Sequence, residues 1–213
     1  MSERLAWTGI VLAGGRGHRF GDLDKCRLPL GGRSLLQRSL DALAPITATR
    51  CIVGGPSRDD APTLTDAYPG DGPIGGLLTA LDAITTTHAL VVACDLPFLT
   101  ADFLRDVCEA GRDTTLGLVE TRDGRVPLCL SVRRDARDAI TAYWNAGGRR
   151  LIDLRRLLAH TIVPASRRDR HGPVERLLLN VNDPLTYARA LAEAEHDCAA
   201  SYFTDLDESK RNP

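Results

Sequence analysis

Residues 9–25 read Gly-Ile-Val-Leu-Ala-Gly-Gly-Arg-Gly-His-Arg-Phe-Gly-Asp-Leu-Asp-Lys, an apolar run that enters a loop rich in glycine and cations and closes on Lys25. Glycines free the backbone amides to approach an anion, and the cations neutralise it, so the segment has the makings of a phosphate-binding turn after a first strand. Lys25 is singled out by usage. The chain carries 25 arginines and only two lysines, the other being Lys210 in the tail. An ammonium is a compact point charge that fits beside one phosphate oxygen, whereas a guanidinium is a wide planar fork. A lysine kept against such a bias does something arginine cannot. The plainer reading makes the glycines a simple turn and Lys25 a solvated charge, but it leaves the coincidence of glycines, cations and a strand end unexplained.

Two common phosphate loops do not fit. A Walker A loop needs G-x-x-x-x-G-K-[ST], and here the lysine lies four residues after Gly21 and is followed by Cys26. The dinucleotide fingerprint fails as well: Gly15, Gly17 and Gly21 are spaced one residue too far, and the next strand ends in Gly54-Gly55 rather than in a ribose-binding acid.

The elements that must position this loop alternate along the chain. Residues 7–13 read as a buried strand, and 34–43, with Leu35, Leu36, Leu40 and Leu43, as an amphipathic helix stopped near Pro45. Residues 49–53 form a short strand, 75–84 a helix, and 89–94 a continuous apolar run of the kind expected of a central strand covered on both faces. Thr100 caps a helix to about Glu109. Strands are predicted at 115–119, 128–132, 161–163 and 177–179, and helices at 134–144 and 149–158. Residues 184–195 form a closing helix capped by Asp183. Such alternation predicts a Rossmann-like three-layer α/β/α sandwich with a mostly parallel central sheet, whose ligands sit outside the carboxyl ends of the strands.

At 213 residues one domain is the default, taken here as 1–200, with a nucleotide half at about 8–110, an acceptor half at about 111–195 and a polar tail at 201–213. With 43% hydrophobic and 26% charged residues and a net charge of −1, the composition is that of an ordinary globular domain and gives no support to a nucleic-acid-binding surface. No apolar run reaches membrane-spanning length, and residues 1–4 lead straight into a strand-like run without a signal peptide, so the expected location is cytoplasmic. The six cysteines are never closer than fourteen residues, and the five histidines form no ligand-spaced pair. The cysteines read mostly as small buried hydrophobes, which speaks against structural zinc and a disulfide framework.

The loop from Leu12 to Lys25 resembles the nucleotidyltransferase signature L-A-[GA]-G-x-[GS]-x-R-[MF]-G-x-x-x-K. Asp95, alone at the end of the run Val92-Ala93-Cys94 and followed by Leu96-Pro97, continues the likeness, as do Asp66-Ala67-Tyr68-Pro69-Gly70-Asp71-Gly72-Pro73 and Asn180-Val181-Asn182-Asp183-Pro184. In order and spacing these segments are similar to the molybdenum cofactor guanylyltransferases of the MobA-like family, over about residues 8–192. The resemblance implies a nucleotide-diphospho-sugar transferase type of fold and transfer of GMP from GTP to the phosphate of molybdopterin or its molybdenum-loaded form, with release of pyrophosphate.

Roles follow where the motifs match. Leu12, Ala13 and Gly14 would line the base and ribose, and Gly15 to Arg19 would wrap the phosphates. Arg19 and Lys25 would neutralise them, and Asp95 would hold Mg²⁺, with Asn182 as the weaker second ligand and Asn180 as a structural residue. Asp66 would accept from guanine N1–H and N2–H₂, which cytosine lacks, while Asp71 falls inside an insertion of the turn and is a poor substitute. The other reading of Asp95 is a simple turn cap. The acceptor would lie among residues 124–150 and the basic loop 165–172. Implied partners are GTP, the molybdopterin-type acceptor, and proteins of molybdenum insertion or molybdoenzyme maturation. The chain departs from the family pattern in Val53-Gly54-Gly55, where a polar residue is common, and in Arg27. Two alternatives stay open: the same chemistry with another nucleotide or acceptor (CTP with molybdopterin, or a sugar, polyol or cobinamide phosphate), and a non-catalytic nucleotide-binding module.

Overall fold

A computed structural model describes residues 5–14, 20 and 23–195. The strands are β1 (Leu5–Leu12), β2 (Pro29–Leu30), β3 (Arg33–Ser34), β4 (Thr47–Val53), β5 (Thr63–Leu64), β6 (His88–Ala93), β7 (Leu116–Leu118), β8 (Cys129–Arg133) and β9 (His160–Ile162). The helices are α1 (Leu35–Leu43), α2 (Gly72–Ala83), α3 (Ala101–Gly111), α4 (Arg137–Asn145), α5 (Leu154–Leu157), α6 (Ala165–Arg168) and α7 (Val174–Leu177), with α8 over 184–195. β2 and β3 form a small hairpin. The other seven strands make one sheet in the order β5-β4-β1-β6-β8-β7-β9. Only β8 runs against the rest, pairing antiparallel with both β6 and β7.

The central strands bury both faces, and their alternation sorts side chains between two cores. Val11, Ile52, Leu90 and Val92 face Leu36, Leu40 and Leu43 of α1 and Phe103, Leu104 and Val107 of α3. Ile10, Leu12, Val53, Ala89 and Val91 face Ile74, Leu77, Leu78 and Leu81 of α2 and Ile140 of α4. Each fully buried leucine or isoleucine contributes about 1.5–3 kcal/mol relative to exposure. A third cluster, in which Leu30, Leu35 and Phe98 meet Leu179, Val181, Ala190 and Ala194, fastens α8 across the site end. Ser34 and Thr100 cap α1 and α3 by accepting from the backbone amides of Gln37 and Phe103, and Asp183 accepts from Thr186 N at the head of α8 (2.8 Å).

The strand expected at 177–179 is absent. Residues 174–177 are helical, with Leu177 N and Leu178 N donating to Pro173 O and Val174 O. A three-leucine run has no period long enough to separate a strand from a buried helical turn, and here the leucines split between two cores. The basic loop at 165–172 is likewise helical, α6 followed by a 3₁₀ turn at Asp169–His171. Of the helix expected at 149–158, only α5 and a 3₁₀ turn at Leu151–Asp153 form. No helix among the described residues is long and apolar enough to cross a membrane.

Candidate active site

Parallel strands β4, β1 and β6 deliver their carboxyl ends to one edge, so that residues far apart in sequence meet there. Ala13 N donates to Val53 O (2.9 Å) and Cys94 N to Leu12 O (3.2 Å), which fixes the loop mouth between its neighbours. Gly54 answers the absence of a polar residue at the end of β4. Its φ is +82°, and a Cβ there would lie 2.9 Å from Gly14 Cα. The two strand ends approach so closely that only glycine fits. Val53 itself is a core residue, 2% exposed, so the polar contact usual at that position is not made by its side chain.

Lys25 begins a 3₁₀ turn, Lys25–Arg27, capped by Asp24, whose carboxylate accepts from Cys26 N. Lys25 Nζ donates to Asp95 Oδ2 (2.8 Å) and to Asn182 Oδ1 (2.9 Å). The Lys25 turn, the end of β6 and the segment before α8 thus converge on one ammonium. Val181 N donates to Asp95 O (2.9 Å), which holds the last two together. The other carboxylate oxygen, Asp95 Oδ1, is buried without a hydrogen-bond partner, as is Asn180 Oδ1. A buried carboxylate oxygen left unpaired is costly, and a cation offsets that cost. Asp95 and Asn182 present hard oxygens of the kind magnesium takes alongside water and phosphate oxygens, and of these Asp95 Oδ2 and Asn182 Oδ1 are held by the Lys25 ammonium.

Asp66, just beyond β5, is held by Tyr68 N (2.9 Å) and Thr79 Oγ1 (3.1 Å), both donating to Oδ1. Oδ2 is turned toward Gly14, where a Cβ would come within 3.9 Å of it. Leu12, Ala13, Gly14, Lys25, Asp66, Asp95 and Asn182 therefore lie near one another at the carboxyl edge of the sheet, Leu12 with its side chain in the core. Gly15 and Arg19 lie outside the described residues.

Sequence reasoning missed two features behind these residues, one arginine and one pair of cysteines. Arg58, its side chain 1% exposed, donates to Asp24 Oδ2 (2.7 Å), while its Nε and Nη1 find no partner. It packs on Gly55, where a Cβ would sit 3.0 Å from the guanidinium. Arg58 anchors the cap of the Lys25 turn, and no signal in the sequence marks it, because its burial and its partner 34 residues away are set by the fold. The second is the pair Cys26 and Cys94, whose sulfurs lie 2.8 Å apart. The hydrogen bond from Cys94 lowers the Cys26 thiol's pKa against the effect of burial, with help from the Arg58 charge, while Cys94 is pushed up.

Asp71 is not idle. It accepts from Trp144 Nε1 (2.7 Å) and Arg149 Nε (3.0 Å), clasping the start of α2 to the end of α4. The basic segment has its charges engaged internally: Arg170 makes two bonds to buried Asp106, and Arg168 donates to Glu120 O (2.8 Å).

A model of the MobA-like NTP transferase domain matches residues 9–162. The chain belongs to that family. A molybdenum cofactor guanylyltransferase from Xanthomonas euvesicatoria is 34% identical over 142 residues, covering 66% of this chain and 72% of the relative. Among solved structures, molybdopterin-guanine dinucleotide biosynthesis protein A from Archaeoglobus fulgidus superposes with a TM-score of 0.72 at 24% identity, over 91% of this chain and 99% of that one. A 2-C-methyl-D-erythritol 4-phosphate cytidylyltransferase from Thermus thermophilus shares the fold at 0.67 and 17% identity, over 90% of this chain and all of that one. The fold is therefore that of a nucleotidyltransferase and does not by itself choose the base.

Proposed function

We propose that the protein transfers GMP from GTP to the phosphate of molybdopterin or its molybdenum-loaded form and releases pyrophosphate. The observation that carries this reading is the convergence of Lys25, Asp95 and Asn182 at the mouth of the glycine loop, with Asp66 beside Gly14. The family membership and the name of the Xanthomonas relative support it.

No protein nucleophile is required. The acceptor's terminal phosphate is ionised at neutral pH and attacks the α-phosphorus directly, so catalysis is positioning and charge neutralisation. Lys25 trades Asp95 and Asn182 for phosphate oxygens when nucleotide enters, and Arg19 adds a second cation. Asp95, with Asn182 assisting, would hold a magnesium ion, which neutralises charge on the phosphates when bound. Asp66 Oδ2 accepts from the guanine edge, while Thr79 and Tyr68 N keep Oδ1 occupied and so fix the carboxylate's orientation.

Base choice tests the reading. A site built to pair buried polar groups rejects ligands that lack them by up to roughly 10⁴-fold, so GTP should exceed CTP and ATP by a wide margin in kcat/KM. Asp66→Asn, which keeps the shape but turns an acceptor into a donor, should shrink that margin far more than it lowers kcat at saturating GTP. A wild-type preference for CTP overturns the guanylyl assignment. A GTP preference that survives Asp66→Asn moves base reading to the backbone around Leu12–Gly14.

A further inference from the structure

Each partner of the ion pair at the carboxyl edge has a cysteine as its chain neighbour: Cys26 follows Lys25, and Cys94 precedes Asp95. The sulfurs, 68 residues apart in sequence, touch at 2.8 Å, and Cys26 Sγ also lies 3.7 Å from Ala13 O. The pair therefore lies beneath Ala13, Lys25 and Asp95 at once. Packing alone does not need two thiols here, since alanine or valine would fill the space without polar sulfur.

We infer that Cys26 and Cys94 are a site of reversible oxidation, forming a disulfide that switches the nucleotide site off. Hydrogen peroxide or another small peroxide is the oxidant. One thiol gives up its proton, its thiolate attacks a peroxide oxygen, the O–O bond breaks, and a sulfenic acid forms while the departing hydroxide takes that proton and leaves as one water. The second thiol, already in contact, displaces the hydroxyl as a second water and closes the S–S bond. Two thiols lose two electrons and two protons, and one peroxide becomes two waters. A dithiol reductant restores the pair by exchange.

The consequence for activity follows from what Lys25 must do. Its ammonium rests on Asp95 and Asn182, and it has to release them to reach phosphate. A covalent bond one residue from Lys25 and one residue from Asp95 holds the Lys25 turn and the end of β6 in the resting register. Misplacing a positioning group by about 1 Å can cost roughly 100-fold, so a turnover loss of tenfold or more is expected on oxidation.

The experiment treats the full-length protein with hydrogen peroxide, quenches it, and follows turnover and disulfide-linked peptides by mass spectrometry in parallel. The expected result is a peptide pair joined through Cys26 and Cys94, accumulating in step with the loss of turnover, both reversed by dithiothreitol. Cys26→Ala and Cys94→Ala should keep basal turnover and resist the same peroxide dose. The inference fails if no such linked pair forms, if it forms without loss of turnover, or if either alanine variant is inactivated as fast as wild type. Should a variant fold poorly, the correlation of linkage with turnover in the wild-type protein still decides. The peptide linkage is read without any assumption about substrate, so its failure is distinguishable from a failure of the guanylyl-transfer reading.

Discussion

Along the flank of the sheet made by β5, β4, β1 and β6, buried polar atoms are left without partners at the carboxyl edge: Asp95 Oδ1, Arg58 Nε and Nη1, and nearby Asn180 Oδ1. Along the flank made by β8, β7 and β9, charges are paired with one another. Arg155 meets Glu120, Arg168 meets Asp169 and Glu120 O, Arg170 and His171 meet Asp106, and Arg149 meets Asp71. An unpaired buried polar group costs about 1–3 kcal/mol, so it persists where something other than the fold requires it. Satisfied ion pairs on the other flank serve the fold itself. The comparison teaches that charge density marks a site poorly in this molecule, whereas buried polarity left unsatisfied at the carboxyl edge gathers around Lys25 and Asp95; among the described residues the exception is His88 Nε2, at the amino end of β6.

The sharpest way to break the comparison is Asp95→Asn, nearly isosteric and uncharged. Turnover should fall by roughly 10²–10³-fold, the range for removing a preorganised electrostatic group, with thermal unfolding little changed. A folded, near-normally active variant would return Asp95 to the role of a turn residue. Next comes Lys25→Arg, which preserves charge but not shape. Steady-state kinetics should show kcat lowered by roughly tenfold or more, and wild-type turnover would remove the reason for the lone lysine.

On the opposite flank the effect should be on stability alone. Asp106→Asn removes the charge that Arg170 and His171 approach, in a side chain 6% exposed. A loss of about 1–3 kcal/mol should lower the melting temperature by roughly 3–10 °C, while kcat and the KM for GTP stay within error. A selective loss of acceptor affinity would instead assign that network to acceptor binding.

The smallest effect lies at the amino end of β6, where His88 stacks on Trp7 with ring centroids 4.5 Å apart and leaves Nε2 buried without a partner. Burial, reinforced by the Arg133 charge and opposed by Asp135, lowers its pKa below the ordinary 6.5. The neutral ring is thus favoured in the folded state. Its contribution is fully present above about pH 6.5 and is lost as the pH falls toward the lowered folded value. His88→Phe keeps the stack and should flatten the dependence of melting temperature on pH between about 5 and 7. An unchanged slope would place that titration elsewhere.

The amino-acid sequence by itself determined what depends on neighbours within a turn or two. The apolar first strand, the helix caps at Thr100 and Asp183, the buried run of β6 and the isolated Asp95 at its end are all local patterns, legible because strand and helix periods repeat over a few residues. Tertiary structure alone decided the rest: that β8 turns against its neighbours, that residues 177–179 divide between two cores instead of pairing as a strand, that Asp71 clasps Trp144 and Arg149, that Arg58 reaches Asp24, and that Cys26 meets Cys94. These contacts join residues separated by tens of positions, and no local propensity specifies a long-range partner. The partner is set when the sheet closes, because buried polar groups must then pair with whatever side chains the topology has placed beside them.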